Sequence, residues 1–241
     1  MSSAVRVRPL IKADLTAAAL LHRRVLDMEF LSRYGLAFMR TYYQAWIEAP
    51  GSIAVAAVDE RGDLLGALLG ATDPATHVRA MIRRRGMQIG ARLTAYAIVH
   101  PPLAKDLIAT RGRRYARGIA RLVVVRLRRP APSSSGTVSG PAVGEVTHVL
   151  VQPDRQGLGI GRALIDAAVE MARFAGVDEL VLVTPPDLAA RKFYERLGWL
   201  ADGAMTSRSG EPFLRYRLPL GADVPTDVAG AVNDGSIAIS D

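Results

Sequence analysis

The sequence predicts an α/β fold, and three kinds of segment support that prediction. Short alternating runs such as 5-VRVR-8 have the length and pattern of β-strands. Two longer segments, Ser32 to Ile47 and Ile160 to Ala175, repeat apolar residues every three or four positions, as amphipathic helices do. Residues 52–73 contain two apolar runs joined by the polar turn Asp59 to Asp63, which predicts a β-hairpin.

The composition is that of a globular protein. Of the 241 residues, 49% are hydrophobic and 22% are charged, so the chain can bury a core and is not a disordered polymer. The complete lack of cysteine excludes disulfides, thiolate metal sites and a cysteine nucleophile. The first residues lack the apolar core of a signal peptide, and no apolar run is long enough to span a bilayer. We therefore expect a cytoplasmic protein, with peripheral contact to a membrane left open.

The order of the segments predicts one domain with an insertion. We expect that domain over residues 1–220 and a disordered tail over residues 221–241, which are small, polar and acidic. Residues 72–144 are predicted to be a basic, largely helical insertion that ends in the flexible link 130-PAPSSSGTVSGP-141. Strand-like sequence resumes directly after this link, so we expect the link to join the insertion to the core.

The segment 156-QGLGIG-161 lies between the predicted strand Glu145 to Val151 and a predicted helix. Loop amides and a helix N-terminus that face the same way can bind a pyrophosphate. A P-loop would need a lysine after the last glycine, and the dinucleotide pattern GxGxxG would need glycine at Arg162. The segment instead matches the pattern Gln/Arg-x-x-Gly-x-Gly/Ala without a gap.

Residues 145–199 resemble the core of the GNAT superfamily of N-acetyltransferases. Two stretches carry the resemblance, HVLVQPDRQGLGIGRAL around the glycine loop and ARKFYERLGW further along the chain. The resemblance implies a mixed, mostly antiparallel sheet flanked by helices and splayed where the cofactor enters. It also implies an enzyme that transfers the acetyl group of acetyl-CoA to a primary amine of a small molecule or protein by direct attack, with no metal.

The resemblance assigns roles to individual residues. Three strand residues would pair through their backbone with the pantetheine arm of acetyl-CoA, and the glycine loop would bind its pyrophosphate. The strand residues are Val149, Leu150 and Val151, and the loop residues are Gln156, Gly157, Leu158, Gly159, Ile160, Gly161 and Arg162. Many relatives have an asparagine at the start of the last core helix, where this chain has Asp187.

Acyl transfer to an amine requires that the amine lose a proton and that the leaving thiolate gain one. By resemblance, Tyr194 is the candidate acid and Glu145 the candidate base. His148 is the rival base, because the ordinary pKa of imidazole lies closest to neutrality. Regular strand alternation predicts that Glu145 and His148 point to opposite faces of the sheet.

The positive charge is concentrated in residues 78–129, which contain thirteen arginines and one lysine against a single acid, Asp106, a net of +13. The whole chain carries +8, so the remainder is acidic. The basic segment can contact an anionic membrane surface, cover an acidic or lipid-linked substrate, or form a homodimer interface. We do not expect a nucleic-acid partner, because few aromatic residues are interleaved for base stacking.

A second function class stays open on the sequence alone. A chain with this cofactor loop can also be a catalytically silent acyl-CoA-binding or membrane-surface regulatory module. The residues that would contact the acceptor match no pattern that identifies the amine.

Overall fold

The structure is a computed structural model that describes residues 5–26, 31–100, 140–186, 189–206 and 212–221. Within these ranges, seven strands and five α-helices form the chain. The strands are β1 (Arg6–Pro9), β2 (Ser52–Val58), β3 (Leu64–Ala71), β4 (Val143–Val151), β5 (Glu179–Thr184), β6 (Leu200–Thr206) and β7 (Pro212–Pro219), and the helices are α1 (Leu15–Val25), α2 (Gly35–Glu48), α3 (Pro74–Val99), α4 (Ile160–Phe174) and α5 (Ala190–Arg196).

The seven strands form a single sheet in the order β1-β2-β3-β4-β5-β7-β6. Every neighbouring pair is antiparallel except β4 and β5, which are parallel. This confirms the expected mixed, mostly antiparallel sheet flanked by helices. The predicted hairpin is β2 and β3, and its turn is held by Asp59 Oδ1, which accepts hydrogen bonds from the amides of Arg61 and Asp63 at 2.9 Å.

Helices cover both faces of the sheet, and each face has its own core. Side chains of α1, α2 and the first turns of α3 pack on one face, here called the α2 face. Side chains of α4 and α5 pack on the other, here called the α4 face. Because β2 and β3 lie between these layers, nearly all of their residues are buried, which explains why both read as continuous apolar runs.

Helix α3 is the described part of the predicted insertion, and it packs along α2 in the opposite direction. Near its middle, the Arg85 guanidinium binds the carboxylate of Glu48 at the end of α2, at 2.6 and 2.9 Å. Near its end, the ring of Tyr96 lies 6.1 Å from that of Tyr34, which precedes α2. The apolar residues between these contacts, Ile89 and Leu93, pack against the α2-face core.

Several predicted features lie outside the described residues. These are Asp187, the link at 130–141 apart from its last two residues, two arginine clusters at 111–114 and 126–129, and the tail after Gly221. Among the helices that are described, none combines the length and the apolar character needed to cross a bilayer.

Candidate functional site

A cleft opens in the sheet between the parallel strands β4 and β5. The two strands pair from Val143 opposite Glu179 to Val146 opposite Leu182, and beyond this point each strand bonds only to its other neighbour, β3 or β7. One edge of residues 147–151 therefore faces the cleft, and no strand in the described ranges bonds to it. An extended ligand can pair with such an edge in the way a strand does.

A β-bulge at Thr147 marks the point where the cleft begins. Leu69 of β3 lies opposite His148 and the next residue, Gly70, lies opposite Val146, so Thr147 is an extra residue on β4. A bulge bends its strand and increases the local twist. The bend therefore lies at the same level of β4 as the end of its pairing with β5.

The bulge places Glu145 and His148 on the same face of the sheet. Glu145 lies opposite Ala71 and His148 lies opposite Leu69, and residues two apart on the unbroken strand β3 share a face. Leu69 belongs to the core of the α2 face. The prediction that Glu145 and His148 point to opposite faces is therefore wrong, because it assumed a strand without a bulge.

Glu145 is a half-buried carboxyl group at the closed end of the cleft. It makes no hydrogen bond or ion pair with the residues that the structure describes, whereas Asp14 and Glu48 on the same side of the sheet each bind an arginine at 2.6 Å. Burial raises the pKa of Glu145 above its ordinary value of 4.5. A carboxylate with raised proton affinity and no cationic neighbour can accept a proton from a substrate.

His148 is buried among aromatic side chains of α1 and α2. Its Nε2 atom lies 3.3 Å from the Tyr42 hydroxyl, and its ring lies 4.7 Å from that of His22 in an edge-on arrangement. The Nδ1 atom of His22 lies 3.0 Å from the Tyr43 hydroxyl. The two candidate bases thus differ, since His148 contacts the Tyr42 hydroxyl whereas Glu145 has no hydrogen-bond partner among the described residues.

The glycine loop leaves β4 at the open end of the cleft. Gln152 anchors it to β3, since its amide donates to the Leu65 carbonyl at 2.9 Å and its side-chain amide donates to the Leu64 carbonyl at 2.6 Å. Gly157 and Gly159 have φ angles of 81° and 76°, in the region that glycine adopts without strain. The loop residues 153–159 are exposed, as a binding loop requires.

The loop ends at a helix terminus with uncapped amides. Gly159 is the N-cap of α4 and has no side chain to accept a hydrogen bond, and the first turn of α4 contains no acid. The first-turn amides and the helix dipole are therefore available to an anion. Ile160 is buried and fixes the helix start, whereas Arg162 is exposed and lies 3.7 Å from Asp166.

Gly161 allows α5 to approach the start of α4. A Cβ atom at this position would lie 3.2 Å from Cζ of Phe193, closer than most real contacts. The sequence motif around Tyr194 therefore also contacts the end of the glycine loop, through the residue before the tyrosine. Sequence reasoning did not assign this contact, although both residues lie inside the recognised motifs.

Tyr194 is buried on the α4 face. Its ring packs edge-on against Phe193 and Trp199, with ring centroids 5.2 and 5.8 Å away, and Tyr216 lies 6.3 Å away. Burial raises the pKa of the Tyr194 phenol to about 12. Tyr194 and Glu145 thus lie on opposite faces of the sheet, and the cleft between β4 and β5 separates them.

The sequence is similar to known acetyltransferases over part of its length. A model of the acetyltransferase (GNAT) family matches residues 115–199. A mycothiol acetyltransferase of Arthrobacter sp. is 39% identical over 74 residues, a stretch that covers 29% of this chain and 23% of that protein. The chain therefore spans about a quarter of the length of this curated relative.

Solved structures share the fold over nearly the whole chain. A spermidine N-acetyltransferase SpeG chimera from Vibrio cholerae superposes with a TM-score of 0.55 at 13% identity, covering 90% of this chain and 96% of that chain. The protein yncA of Salmonella typhimurium, solved with its cofactor acetyl-CoA, gives 0.50 at 15% identity, covering 93% and 98%. At these identities the likeness establishes the fold alone.

Proposed function

We propose that this chain, whose residues 115–199 match the acetyltransferase (GNAT) family model, transfers the acetyl group of acetyl-CoA to a primary amine of a small molecule or protein. The observation that carries the proposal is the cleft between β4 and β5, which leads from an uncapped helix terminus to a half-buried carboxyl group. Strand β4 thus connects the reaction end of the cleft, at Glu145, to the anion-binding end, at the glycine loop and the start of α4.

The cofactor fits this cleft by the chemistry of its groups. Gln156 to Gly161 present backbone amides and no acidic side chain to the pyrophosphate, and Arg162 adds a positive charge beside them. Val149, Leu150 and Val151 present the free strand edge to the amides of the pantetheine arm. This orientation directs the thioester toward the closed end of the cleft, near the bulge at Thr147.

The acceptor amine approaches from the α2 face, where Glu145 lies. Glu145 has no cation among the described residues, so a substrate ammonium group would supply the missing charge. After the ammonium group has lost one proton, its nitrogen attacks the thioester carbonyl carbon, Glu145 accepts the second proton from that nitrogen, and the carbon–sulfur bond breaks. Tyr194, which remains protonated because burial raises its pKa to about 12, donates its proton to the departing thiolate.

Calorimetric binding of acetyl-CoA, followed by a screen of primary amines with detection of free CoA, tests this function. We expect binding and turnover of at least one amine. Failure of the full chain to bind acetyl-CoA would refute the proposal, and binding without turnover of any amine would refute its catalytic part.

We further propose that the outer side of α3 contacts an anionic membrane surface. The helix contains no acidic residue, and of its five arginines only Arg85 has a carboxylate partner among the described residues. Spacings of four and eleven residues place Arg79, Arg83, Met87 and Ile98 on one side, here called the outer stripe. Met87 and Ile98 are each 74% exposed, so this stripe combines positive charge with apolar side chains. Positive charge attracts anionic headgroups, and apolar side chains can insert between the lipids.

A further inference from the structure

Four ionisable side chains form a cluster between the surface of α2 and the core of the α2 face. Tyr42 is half-buried, His148 is 7% exposed and His22 is fully buried. The Tyr42 hydroxyl lies 3.3 Å from His148 Nε2, the two imidazole rings are 4.7 Å apart, and His22 Nδ1 lies 3.0 Å from the Tyr43 hydroxyl. The path from half-buried Tyr42 through His148 to fully buried His22 is here called the line, and Tyr43 closes the cluster, with its ring 5.9 Å from that of Tyr42.

Glu145 lies beside this line on the same face of the sheet. Glu145 is opposite Ala71 and His148 is opposite Leu69, two residues away on β3, which corresponds to about 7 Å along the strand. The structure thus brings two different proton acceptors, a carboxylate and an imidazole, to the side of the cleft that the acceptor amine would enter.

Acetylation of an ammonium group removes two protons from nitrogen. The first must leave before attack, because a protonated nitrogen has no free electron pair. The second leaves after the carbon–nitrogen bond forms. Tyr194 protonates the CoA sulfur and regains its proton from solvent, so both amine protons can leave through acceptors on the amine side and the reaction releases one proton overall.

We propose that Tyr42 and His148 together accept the first proton, which leaves Glu145 to accept the second; this inference rests on the proposed acetyl transfer. The ammonium group gives a proton to the Tyr42 oxygen while the Tyr42 hydroxyl proton passes to His148 Nε2. After the product leaves, the proton returns by the same route to solvent. Tyr42 is thus a catalytic residue, and His148 is a positioning residue that acts through it.

The chemistry of the two acceptors supports this division. An ordinary imidazole holds a proton more tightly than an ordinary carboxylate does, so it is the better acceptor for the weakly acidic ammonium group. The nitrogen of the tetrahedral intermediate is more acidic than the starting ammonium, so a carboxylate suffices for the second proton.

Ring side chains surround His148. Among the described residues, His22 of α1 and Tyr42 and Trp46 of α2 contact its ring, Leu69 of β3 lies opposite it, and Glu145 precedes it on its own strand. Two imidazolium charges this close and out of water would repel strongly, so the proposed route adds a proton to His148 alone and leaves His22 uncharged.

The first test is the pH profile of kcat/KM for Tyr42→Phe, with Tyr96→Phe on α3 as the matched control. We expect Tyr42→Phe to lower kcat/KM about a hundredfold near neutral pH. The loss should shrink as the pH approaches about 9, where more of the amine is already neutral. Tyr96→Phe should follow the wild-type profile. A Tyr42→Phe loss that is equal at every pH would overturn the proposal.

The second test compares His148→Asn with His77→Asn, a histidine equally buried on the α2 face that bonds to the Pro50 carbonyl at 3.1 Å. We expect only His148→Asn to move the rising limb of the profile to higher pH. If both variants lose activity without any shift of the limb, the role of His148 is structural and the proposal is wrong.

A third measurement separates this proposal from the proposed function. NMR titration of the imidazole groups in the full chain needs no turnover. We expect Tyr42→Phe and His22→Asn each to change the titration of His148, whereas His77→Asn leaves it unchanged. Absence of that coupling would refute the proton-accepting line, while a coupled line in a chain that acetylates no amine would refute the proposed function alone.

Discussion

Glu145 and His148 are three residues apart on β4 and lie on the same face of the sheet, because Thr147 between them is bulged. The same bulge lies where β4 loses β5 as a neighbour, after Val146. One local irregularity thus bends the strand, opens the cleft and collects two ionisable side chains beside it. Bulges next to functional sites commonly redirect side chains in this way.

Replacement of Glu145 by glutamine should increase stability at neutral pH while reducing acetyl transfer. Burial raises the pKa of Glu145, so the folded chain holds the proton more tightly than the unfolded chain does. The stabilising proton is present below the ordinary value of 4.5 and is lost as the pH rises through the raised value. Thermal unfolding at acid and neutral pH should show a gain for Glu145→Gln at neutral pH only.

The exposed Glu170→Gln variant on α4 is the control for this experiment, and we expect it to unfold at the wild-type temperature at both pH values. Equal melting temperatures for Glu145→Gln and the wild type at neutral pH would contradict the assigned environment of Glu145.

Replacement of Gly159 by alanine should weaken acetyl-CoA binding. Its φ angle of 76° strains any residue with a side chain, at a cost of about 1 kcal/mol, although no atom lies within 4 Å of the added Cβ. The altered loop would present its amides less well to the pyrophosphate. We expect calorimetry to show a several-fold higher Kd.

Gly176 provides a matched control for that variant, because its φ angle is 73°, its surroundings are equally open and it lies at the far end of α4. Gly176→Ala should lower the melting temperature by a similar amount without changing the Kd. The same Kd for Gly159→Ala and the wild type would exclude the loop as the anion site.

Tyr194→Phe should slow the chemical step without changing acetyl-CoA affinity. Burial raises the pKa of this phenol to about 12, so it stays protonated between pH 6 and pH 9. We expect kcat to fall about a hundredfold, by the same factor from pH 6 to pH 9. Tyr216→Phe removes a hydroxyl that donates to Glu195 at 3.0 Å in the same aromatic cluster, and it should retain wild-type kcat. If the two variants behave alike, Tyr194 is a packing residue.

The ion pair between Arg85 and Glu48 should measurably anchor α3. Arg85 lowers the pKa of Glu48, so the pair stabilises the fold above the ordinary pKa of that carboxyl and this stabilisation is lost as the pH falls through the lowered value. A double-mutant cycle with Arg85→Met and Glu48→Gln, followed by urea unfolding, should give a coupling of about 1 kcal/mol at neutral pH. The exposed pair Arg191 and Glu195 should give less. A coupling that survives in strong acid would show that the contact is not ionic.

Charge reversal on the outer stripe should weaken binding to anionic vesicles. We expect the double variant Arg79→Glu/Arg83→Glu to co-sediment less with vesicles that contain phosphatidylserine, with the difference decreasing as salt is added. The control is Arg173→Glu/Arg196→Glu, which makes the same change of net charge at exposed positions of α4 and α5. Met87→Gln should weaken binding at high salt. Equal binding by both double variants, or equal binding to acidic polymers without lipid, would refute membrane contact by α3.

Much of the fold could be predicted because its signals are local. The hairpin turn, the glycine loop and the periodicity of α4 each depend on residues close together in the chain. The bulge could not be predicted, since Thr147 is an ordinary strand residue and the shift exists only relative to β3. The rule of strand alternation therefore wrongly predicted that Glu145 and His148 lie on opposite faces of the sheet.

The residues proposed for the site from the sequence all lie in or near recognisable motifs. Residues that join the site only through tertiary contacts could not be proposed from the sequence. Tyr42 and His22 reach His148 from α2 and α1, more than a hundred positions earlier in the chain. The sequence of α3 also does not predict which side of the helix is buried, because apolar residues and arginines occur all around it. Packing against α2 alone decides that Ile89 faces inward and Met87 faces solvent.

The short pairing between β4 and β5 also determines how the two parts of the sheet can move. Strands β1 to β4 and strands β5 to β7 are joined within the sheet by only four residue pairs, from Val143 with Glu179 to Val146 with Leu182. A ligand in the cleft that bonds to β4 and contacts β5 would act as an additional connection between the two parts. Occupancy should therefore slow hydrogen exchange in residues 147–151 and make the two halves of the sheet unfold together rather than separately.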